Sequence, residues 1–566
     1  MTDIVNQLLT RRGITTEAAR ERFLRPSYER DLHDPFLFSQ MNQAVTRILQ
    51  GLEKNEKITI FADYDADGVP AAVILSEFFK KVGHANFDVY IPDRHEEEFG
   101  LKEFAVQKIA ATDTKLVITV DCGITDLPGA ALLASHAIDL IITDHHLPPE
   151  QLPKAVAIID PKLLGDEYPE KMLCGAGVAF KLVQALIKIL SQRTVLKNPN
   201  PRTVLGDIAP GWEKWLLDLV AIATVSDMVP LTGENRALVY FGLKVLRQTP
   251  RPGLRALARV LKLDPQYLTE DDIAFSIGPR INSASRMTHG REAYELLATT
   301  NLARAEALAK HLDLKNRERR AAVDQILESV TKNFLASPQP GEGGPPVLIF
   351  GHENWSLGVL GLAASRLVEQ FSRTVFIWGK NGSGLIKGSC RAAPGVNVVA
   401  LMSAAGPNIF SNFGGHAASG GFSLLPEKLP KLKAGLLAAY ELAPRGEGVV
   451  AKEPDLDLLL DEITEDFCAN LHQLAPFGLG NPKPLLSFRH APLMQKKTFG
   501  STHLELQFSS ESSRPIKAIK FFAAELAKND DLVPGATIHL LANLEKSYFR
   551  GRPELRLRIV DLTPVR

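Results

Sequence analysis

Three aspartates directly after an apolar segment constrain this chain more than any other feature. Residues 58–61 (Ile-Thr-Ile-Phe) have the composition of a buried strand, and Asp63, Asp65 and Asp67 follow them. Gly68 then permits a tight turn before a helical pattern begins. Three carboxylates this close repel one another, and they stay ionised together only when cations lie between them. The cluster therefore predicts a site for hard divalent cations, with a solvated acidic turn as the simpler alternative.

The same pattern returns twice further along the chain. One β-branched run ends at Asp121, and the next ends at Asp144, His145 and His146. Because the carboxyl ends of parallel strands meet at one edge of a sheet, these side chains and the first three aspartates are expected to share one site. The alternative for the two histidines is an ordinary surface turn.

Alternating strand and helix patterns predict a mostly parallel sheet with helices on both faces in the first part of the chain. Residues 1 to about 50 are polar and helical in pattern, and we expect them to pack on this first domain. The predicted strands lie near Ile58, Val89, Val117, Ile141 and Val156.

A nearly all-apolar run at residues 216–225 is too long for a typical strand and predicts a buried helix. Asp227 follows it and precedes Pro230, so this acid lies at the end of the helix. Two interpretations of Asp227 stay open, a cap for the next turn or a further metal ligand.

The rest of the chain divides into three regions. Residues 231–335 are mostly helical in pattern, and Leu302–Asn333 predicts one long helix. A Pro- and Gly-rich linker at 337–346 precedes a second α/β region from Val347 to about Glu441, and alternating strands from about Leu485 predict a small β-barrel. The expected domains are 1–235, 236–340, 341–450 and 451–566.

Charge and cysteine content limit the function classes. Lys plus Arg equals Asp plus Glu, at 65 each, so any nucleic-acid-binding surface must be local. The four cysteines are far apart, which favours reduced thiols in the cytoplasm over disulfides or a structural zinc site. Neither a signal-peptide pattern nor an uncharged apolar run of ~20 residues is present, so we expect no contact with a membrane.

Basic and aromatic residues interleave in the last region. Residues 485–566 contain 13 Lys or Arg against 8 Asp or Glu. Such a mixture suits single-stranded nucleic acid, through phosphate charge and base stacking. An ordinary barrel with core aromatics has the same composition, so both interpretations stay open. The residues concerned are Lys496, Lys497, Lys517, Lys520, Lys546, Arg550, Arg552, Arg556 and Arg558, with Phe499, Phe508, Phe521, Phe522, Tyr548 and Phe549.

Two glycine-rich patches in the second α/β region are suited to binding an anion. Gly388 is followed by Ser389 and Arg391, and the second patch contains His416. Both combine backbone N–H groups with a polar or cationic side chain. Further candidate arginines are Arg94, expected at the acidic edge of the sheet, and Arg280 and Arg286, which precede the long helix.

These motifs resemble those of the DHH phosphoesterase superfamily and, within it, of the RecJ-type single-strand-specific exonucleases, over nearly the whole chain. Residues 63–68, 120–123, 144–146 and 223–230 are similar to the four catalytic motifs. The glycine-rich patches resemble the associated second domain, called DHHA1. Residues 475–482 (Ala-Pro-Phe-Gly-Leu-Gly-Asn-Pro) resemble the segment that precedes the oligonucleotide-binding (OB) barrel.

The resemblance implies an α/β protein with a parallel-sheet DHH domain, a helical connector, a DHHA1-type domain and an OB-like barrel. It implies a metal-dependent exodeoxyribonuclease that degrades single-stranded DNA from 5′ to 3′. Such an enzyme releases 5′-mononucleotides by two-metal phosphodiester hydrolysis and acts in DNA repair and recombination. A single-strand-binding protein and a helicase are the partners expected for it.

The resemblance also implies roles for individual residues. Two Mn²⁺ or Mg²⁺ ions would be held by Asp63, Asp65, Asp67, Asp121, His145 and Asp227, with Asp121 as the bridge. Catalytic groups beside the ions would be Asp144 and His146. DNA phosphates, including a terminal 5′-phosphate, would be held by Arg94, Arg280, Arg286, Ser389, Arg391 and His416.

The sequence departs from the family pattern at Pro70, at Glu98 and Phe99, at Ser285 and at Ser356, none of which is an implied metal ligand. Two alternative functions stay open. One is a DHH phosphodiesterase for short oligonucleotides or cyclic dinucleotides, against which the predicted barrel argues. The other is a non-catalytic replication scaffold, against which the complete set of acids argues.

Overall fold

A computed structural model provides the structure of this protein. It describes residues 3–97, 100–195, 208–336, 345–382, 384–406, 408–442, 453–499, 503–510, 515–521, 523, 526, 529–547 and 553–565. The predictions for Glu98 and Phe99, for most of the linker at 337–346 and for Phe522, Tyr548, Phe549, Arg550 and Arg552 lie outside these residues.

The N-terminal part of the chain contains a parallel sheet between two layers of helices. Its strands are β1 (Lys57–Ala62), β2 (Phe87–Tyr90), β3 (Thr114–Val120), β4 (Asp139–Thr143) and β5 (Ala157–Ile159), in the spatial order β2-β1-β3-β4-β5. The helices of this part are α1 (Asp3–Arg11), α2 (Glu17–Leu24), α3 (Tyr28–Asp31), α4 (Met41–Glu53), α5 (Gly68–Lys81), α6 (Glu103–Ala110), α7 (Leu127–Ser135), α8 (Gly175–Val195) and α9 (Leu217–Ser226). The predicted strands and their parallel arrangement are confirmed.

Both faces of this sheet are covered, which explains the continuous apolar runs in its strands. Side chains of a strand alternate between the faces. Ile58 and Ile60 of β1 pack in the layer that contains α4, α5, α8 and α9, whereas Phe61 packs in the layer of α6 and α7. Residues 217–224 of α9 are all buried, so the predicted buried helix is confirmed.

The prediction that the whole N-terminal segment packs on this domain is wrong for its first helices. Val5, Leu8 and Leu9 of α1 lie in the core of the C-terminal barrel, and Phe23 and Leu24 of α2 pack against that core. Only the later part of the segment, with α4, joins the sheet. The apolar face of a helix can be read from its sequence, but the surface that covers that face cannot.

A helical connector follows the first domain. Its helices are α10 (Gly233–Arg247), α11 (Pro252–Leu261), α12 (Glu270–Asp272), α13 (Gly278–Met287), α14 (Arg291–Ala298) and α15 (Leu302–Ala336), with a π-helical turn at Ile273–Ile277. At ~1.5 Å per residue, α15 is roughly 50 Å long. Its Ala305 and Leu308 lie in the core of the first domain, and its Val323 and Ile326 lie in the core of the second. The predicted connector and long helix are confirmed.

The second domain is built on a mixed sheet. Its strands are β6 (Val347–Gly351), β7 (Thr374–Lys380), β8 (Ile386–Arg391), β9 (Asn412–His416) and β10 (Ser419–Leu424), in the order β6-β7-β8-β10-β9. Strands β6 and β7 are parallel, and the other pairs are antiparallel. Its helices are α16 (Leu360–Phe371), α17 (Val398–Ala404) and α18 (Leu429–Leu442).

The C-terminal region closes into the predicted barrel. Its elements are β11 (Leu456–Asp457), α19 (Glu465–His472), β12 (Leu486–Phe499), β13 (His503–Phe508), β14 (Ile516–Lys520), β15 (Thr537–Ser547) and β16 (Glu554–Val565). Strand β12 pairs with both β13 and β15, which closes the ring through β14 and β16. The predicted α/β fold class with an OB-like barrel is therefore confirmed.

Short 3-10 turns join several of these elements. They cover Pro35–Leu37, Trp212–Leu216, Pro265–Tyr267, Leu357–Val359, Pro426–Lys428 and Leu460–Glu462. Among the helices of the described ranges, none is long and apolar enough to cross a bilayer.

Candidate metal centre

The ends of three neighbouring strands bring the predicted acids together. Hydrogen bonds between strands continue one residue beyond each strand, because the backbone N–H of Asp63 donates to Val120 O (3.2 Å) and that of Asp121 donates to Thr143 O (3.0 Å). The N–H of Asp144 likewise donates to Ile159 O (3.1 Å). The acids after β1, β3 and β4 therefore leave the sheet side by side at its carboxyl edge.

The six residues predicted as metal ligands form overlapping groups. Ligand atoms of Asp63, Asp65 and Asp121 lie within 4.8 Å of one another, and so do those of Asp67, His145 and Asp227. A third group of the same kind consists of Asp121, His145 and His146. The His145 ring joins the first two groups, because its Nε2 is 3.1 Å from Asp121 Oδ1 and its Nδ1 is 3.8 Å from Asp227 Oδ2.

Backbone N–H groups orient the carboxylates of the first motif. Asp67 accepts hydrogen bonds from Gly175 N (2.6 Å) and Ala176 N (2.7 Å), at the start of α8, where a helix favours negative charge. Asp65 Oδ1 accepts from Asp67 N at 2.8 Å and holds the turn in shape.

Two glycines leave the space that the acids need. A Cβ at Gly68 would lie 2.5 Å from Asp63 O, and a Cβ at Gly175 would lie 2.5 Å from Asp121 Cβ. Asp121 itself has φ +60°, a left-handed backbone conformation that costs energy in a residue other than glycine. The strained backbone at Asp121 thus directs its carboxylate into the cluster.

Burial and mutual repulsion raise the pKa of the clustered acids. Burial and then the charge of Asp65 raise the pKa of Asp67 to about 7, and burial and then the charge of Asp67 raise the pKa of Asp227 to about 8. The same two causes raise the pKa of Asp63 and of Asp121 well above the ordinary value. Burial and the charge of His146 lower the pKa of His145 to about 3, so its ring is neutral. Without cations, the cluster is therefore a high-energy arrangement.

The cluster also contains buried polar atoms that suit a metal ion. Asp63 Oδ1, Asp121 Oδ1 and His145 Nδ1 make no well-aligned hydrogen bond among the described residues. Buried polar atoms are normally satisfied, so orphaned acceptors pointing into an acidic cluster need an explanation. Several carboxylates with one neutral imidazole form a donor set that fits Mg²⁺ or Mn²⁺.

Asp144 and His146 lie beside this donor set and are bonded to each other. Asp144 Oδ1 is 2.7 Å from His146 Nδ1, and Asp144 Oδ2 accepts from Ile124 N at 2.9 Å. Burial alone would lower the pKa of His146, but the bond to Asp144 and the surrounding carboxylates raise that pKa to about 9. Asp144 therefore fixes the His146 ring next to the acids.

Arg94 and Arg286 lie close to the first motif. Arg94 stacks over the ring of Tyr64, at 5.0 Å from the centroid, and Arg286 Nη1 donates to Gly358 O at 3.1 Å. Burial and then the positive charge of Arg94 lower the pKa of Arg286 to about 10. Two neighbouring cations beside an acidic cluster are suited to the phosphates of a ligand that bridges them.

Arg280 differs from the other arginines in the predicted phosphate-binding set. Its guanidinium is buried, pairs with Asp313 at 3.1 Å and donates to Ser276 O at 3.0 Å. The bond to Asp313 links α13 to α15, so this guanidinium is already paired, and we leave Arg280 out of the proposed DNA-binding set.

The predicted residues of the second domain lie on two of its strands. Ser389 and Arg391 are on β8, and His416 is exposed at the end of β9. Arg391 Nε donates to Ser365 Oγ at 3.1 Å, and a Cβ at Gly361 would be 2.9 Å from Arg391 Nη2. No carboxylate within the described part of the chain pairs with Arg391. Arg286 contacts Gly358 and Arg391 contacts Gly361, only three residues later. The start of α16 therefore lies between the two arginines.

A cluster of partly exposed rings and cations lies on the described part of the barrel. Phe499 is 37% exposed, His503 and Phe521 lie beside it, and Arg558 stacks over Phe521 at 4.1 Å. Phe508, in contrast, is fully buried in the barrel core. Phe508 therefore belongs to the barrel core, and for the exposed rings and cations nucleic-acid binding stays a prediction.

Three residues near the cluster were missed in the sequence. Asn282 Oδ1 accepts from Ala66 N (2.9 Å) inside the first motif, and Lys162 Nζ donates to His145 O. Asp160 is fully buried, and burial raises its pKa to about 7. Asp160 directly follows β5, so the rule that strands of this sheet end in acids would have found it. No comparable signal points to Asn282 or Lys162.

Three of the family departures lie in the described residues. Pro70 lies in the first turn of α5, where a missing N–H costs little. Ser285 is buried and donates to Asn282 O at 3.4 Å, and Ser356 precedes the 3-10 turn at Leu357–Val359. None of them disturbs the acidic cluster.

A parallel sheet with acids at three strand ends, joined to a glycine-rich mixed sheet, defines a protein of the DHH–DHHA1 class. Family models agree: "DHH family, N-terminal domain" matches residues 57–224, "DHHA1 domain" matches 344–441, and "RecJ OB domain" matches 454–561. The chain is 33% identical to the single-stranded-DNA-specific exonuclease RecJ of Bacillus subtilis, over 99% of this chain and 68% of that protein. It is 32% identical to the RecJ of Dickeya dadantii, over 99% of this chain and 96% of that protein. The chain therefore belongs to the RecJ family.

A solved structure agrees with this assignment. The crystal structure of Thermus thermophilus RecJ in complex with Mn²⁺ is 26% identical and has a TM-score of 0.77, over 99% of this chain and 76% of that one. A second structure of the same protein, in complex with Mg²⁺, is 25% identical and has a TM-score of 0.72.

Proposed function

We propose that this protein is a metal-dependent exodeoxyribonuclease specific for single-stranded DNA. The observation that carries the proposal is the pair of overlapping ligand groups around Asp121 in a chain that continues into an OB-like barrel. The 5′-to-3′ direction, the release of 5′-mononucleotides and the role in repair and recombination are proposed from the resemblance to RecJ exonucleases. The alternative, a phosphodiesterase for dinucleotides, leaves the barrel without a use.

The proposed cofactors are two divalent cations, Mn²⁺ or Mg²⁺. Asp63, Asp65 and Asp121 would hold one, and the group formed by Asp67, His145 and Asp227 would hold the other, with Asp121 beside both. Bound there, such ions lower the pKa of a water nucleophile and neutralise charge on the scissile phosphate. Because the carboxylates are already held in place by the fold, they would position the ions before the strand binds.

The chain's own residues would position the strand. His146, fixed by Asp144, presents a hydrogen-bond donor and positive charge beside the phosphate that is cut. Arg94 and Arg286 would hold phosphates at the acidic cluster, and the residues that would bind the 5′ end in the second domain are Ser389, Arg391 and His416. The exposed rings near Phe521 would stack with bases further along the strand.

Partners and location are proposed on less direct grounds. An enzyme that acts on single strands needs a helicase to produce them and meets them coated by a single-strand-binding protein, so both are proposed partners. A cytoplasmic location is supported by the four cysteines, which are buried free thiols.

The test of the proposal is digestion of one oligonucleotide labelled at either end, with Mn²⁺ or with Mg²⁺. We expect the 5′ label to be released first as a mononucleotide, and the matched duplex to resist. Initial release of the 3′ label would contradict the direction. Faster turnover of a dinucleotide or cyclic dinucleotide than of the long strand would favour the alternative, and no metal-dependent cleavage would reject an enzyme.

Arg391→Ala should weaken binding at the 5′ end, because one phosphate contact is lost. We expect the slope of log affinity against log salt to fall by about 0.7, the value for one contact on a single strand. Binding of 5′-phosphorylated single strands would be measured by fluorescence anisotropy across a salt series. Arg366→Ala is the matched control, since Arg366 lies in the same domain and pairs with Glu369 on the surface. Equal slopes for Arg391→Ala and the unchanged protein would remove Arg391 from the phosphate-binding set.

A further inference from the structure

Asp227 lies where the chain leaves α9, and its backbone N–H still donates to Ala223 O of that helix at 2.8 Å. It caps the end of α9, and Met228 after it has φ +58°, a left-handed conformation that costs energy for methionine. Met228 is 70% exposed, so its own packing does not offset this cost. The chain is anchored again only at Val229 and Leu231, both of which are buried.

The anchor for this segment comes from the other end of the chain. Residues 475–482, which we call the docking loop, lie against Pro230 and Leu231. Leu231 N donates to Leu479 O at 2.7 Å. A Cβ at Gly480 would be 3.1 Å from Pro230 Cβ, and a Cβ at Gly478 would be 2.8 Å from Leu231 Cδ1. Backbone and side-chain contacts thus seat the docking loop on the segment that follows Asp227.

The docking loop is rigid because a buried asparagine holds it together. Asn481 is fully buried, and its Nδ2 donates to Leu474 O and to Pro476 O, at 2.8 Å each. Its Oδ1 accepts from Arg12 Nε at 3.0 Å, which also ties the loop to the N-terminal helices. The Asn481 amide thus uses both of its N–H donors and its oxygen in these contacts.

A second contact holds the chain that follows Asp227, one turn into α10. The buried guanidinium of Arg236 donates to Ala475 O (2.7 Å), to Pro476 O (3.1 Å) and to Phe23 O (2.9 Å). The docking loop therefore holds the chain after Asp227 at two points, Leu231 and Arg236. Asp63, Asp65 and Asp121, in contrast, follow strands that lie within the first domain's own sheet.

We propose that the docking loop is a positioning element for Asp227. By holding the segment that begins at Asp227, it fixes this carboxylate opposite Asp67 and His145. Correct seating of the docking loop is then required for full affinity of this group for a divalent cation, while the group of Asp63, Asp65 and Asp121 does not depend on it. The inference rests on the proposed metal-binding function, in which Asp227 is a ligand.

The experiment compares two glycine substitutions in the full chain. Gly480 and Gly535 both have left-handed φ values, +76° and +92°, so alanine strains the backbone at either position. Only at Gly480 does the new methyl group press on a neighbour, since the space around a Cβ at Gly535 is open to 4 Å among the described residues. Mn²⁺ binding would be measured by titration calorimetry without DNA, so that the result does not depend on activity.

Gly480→Ala should weaken one of the two Mn²⁺ binding events by about tenfold, the lower end of the usual effect of residues that orient a metal ligand. Gly535→Ala should stay within about twofold of the unchanged protein. Asn481→Ala, which loosens the docking loop without adding bulk, should weaken the same event. If one of the two variants Gly480→Ala and Asn481→Ala fails to fold, the other still tests the effect. Asp227→Asn provides the reference for complete loss of this ligand.

The outcomes separate the inference from the function on which it rests. If Asp227→Asn leaves both Mn²⁺ events unchanged, the proposed ligand set is wrong and the inference falls with it. If Asp227→Asn weakens one event but Gly480→Ala and Asn481→Ala do not, the docking loop does not position Asp227. Leu506→Ala destabilises the barrel core away from the docking loop, so an equal loss in that variant would also overturn the inference.

Discussion

Replacing Asp121 by asparagine should reduce cleavage of single-stranded DNA by more than about a hundredfold, beyond the usual effect of residues that only orient a ligand. Asp121 is the acid whose ligand atoms belong both with Asp63 and Asp65 and with His145 and His146. Asparagine keeps the shape of the aspartate side chain but removes its negative charge. It directs at the cations either an N–H donor or an amide oxygen, which is a weaker ligand than a carboxylate oxygen. It also tolerates the φ of +60° at this position better than alanine does, so the backbone should be preserved.

Affinity for the strand should stay within about twofold in this variant, because the proposed phosphate contacts are made by other residues. Cleavage would be measured with excess Mn²⁺, and binding would be measured in Ca²⁺ or in chelator. Asp113→Asn removes the same charge from an exposed position before β3 and should leave the rate unchanged. Retention of more than a few per cent of the rate in Asp121→Asn would exclude Asp121 as the shared ligand.

The acidic cluster was predictable because it depends on one rule of parallel sheets. Strands that are buried on both faces read as apolar runs, and the residue after each run must leave the sheet at the same edge. Asp63, Asp121 and Asp144 follow from this rule. The position of Asp227 does not follow from this rule, because Asp227 comes from the end of a helix. Its distance to His145 is set by how α9 packs on the sheet. Only the family resemblance selected its role as a ligand.

Partners that are distant in the sequence explain the reassignment of Arg280 and the wrong prediction for α1. Arg280 has the appearance of a phosphate ligand next to Arg286, but it pairs with Asp313, which comes 33 residues later on another helix. The apolar stripe of α1 indicates a helix, but nothing local indicates that its partner is a barrel formed by the last part of the chain. Pairings of this kind are set by the topology of the whole fold.

Removing divalent cations should destabilise the protein more at about pH 8 than at about pH 6.5. The pKa of Asp67 is raised to about 7 and that of Asp227 to about 8, whereas unfolded aspartates have a pKa near 4. Above pH 4, the metal-free folded state therefore binds more protons than the unfolded state, and its free energy of unfolding falls until the pH passes the folded pKa values. His145, with its pKa lowered to about 3, has the opposite trend only below about 6.5, so it does not contribute in this window.

Cations replace those protons, so the stabilisation by Mn²⁺ should grow with pH. The loss between pH 6.5 and 8 is on the order of 2 kcal/mol, and the gain in Tm on adding Mn²⁺ should be larger by roughly 5 °C at the higher pH, for a cooperative unit the size of the first domain. Differential scanning calorimetry, with chelator and with Mn²⁺ at both pH values, measures this difference in Tm. In Asp227→Asn, which lacks one of these carboxylates, the metal-free Tm should fall less over the same window. An equal gain from Mn²⁺ at both pH values would mean that the clustered acids are not what the cations bind.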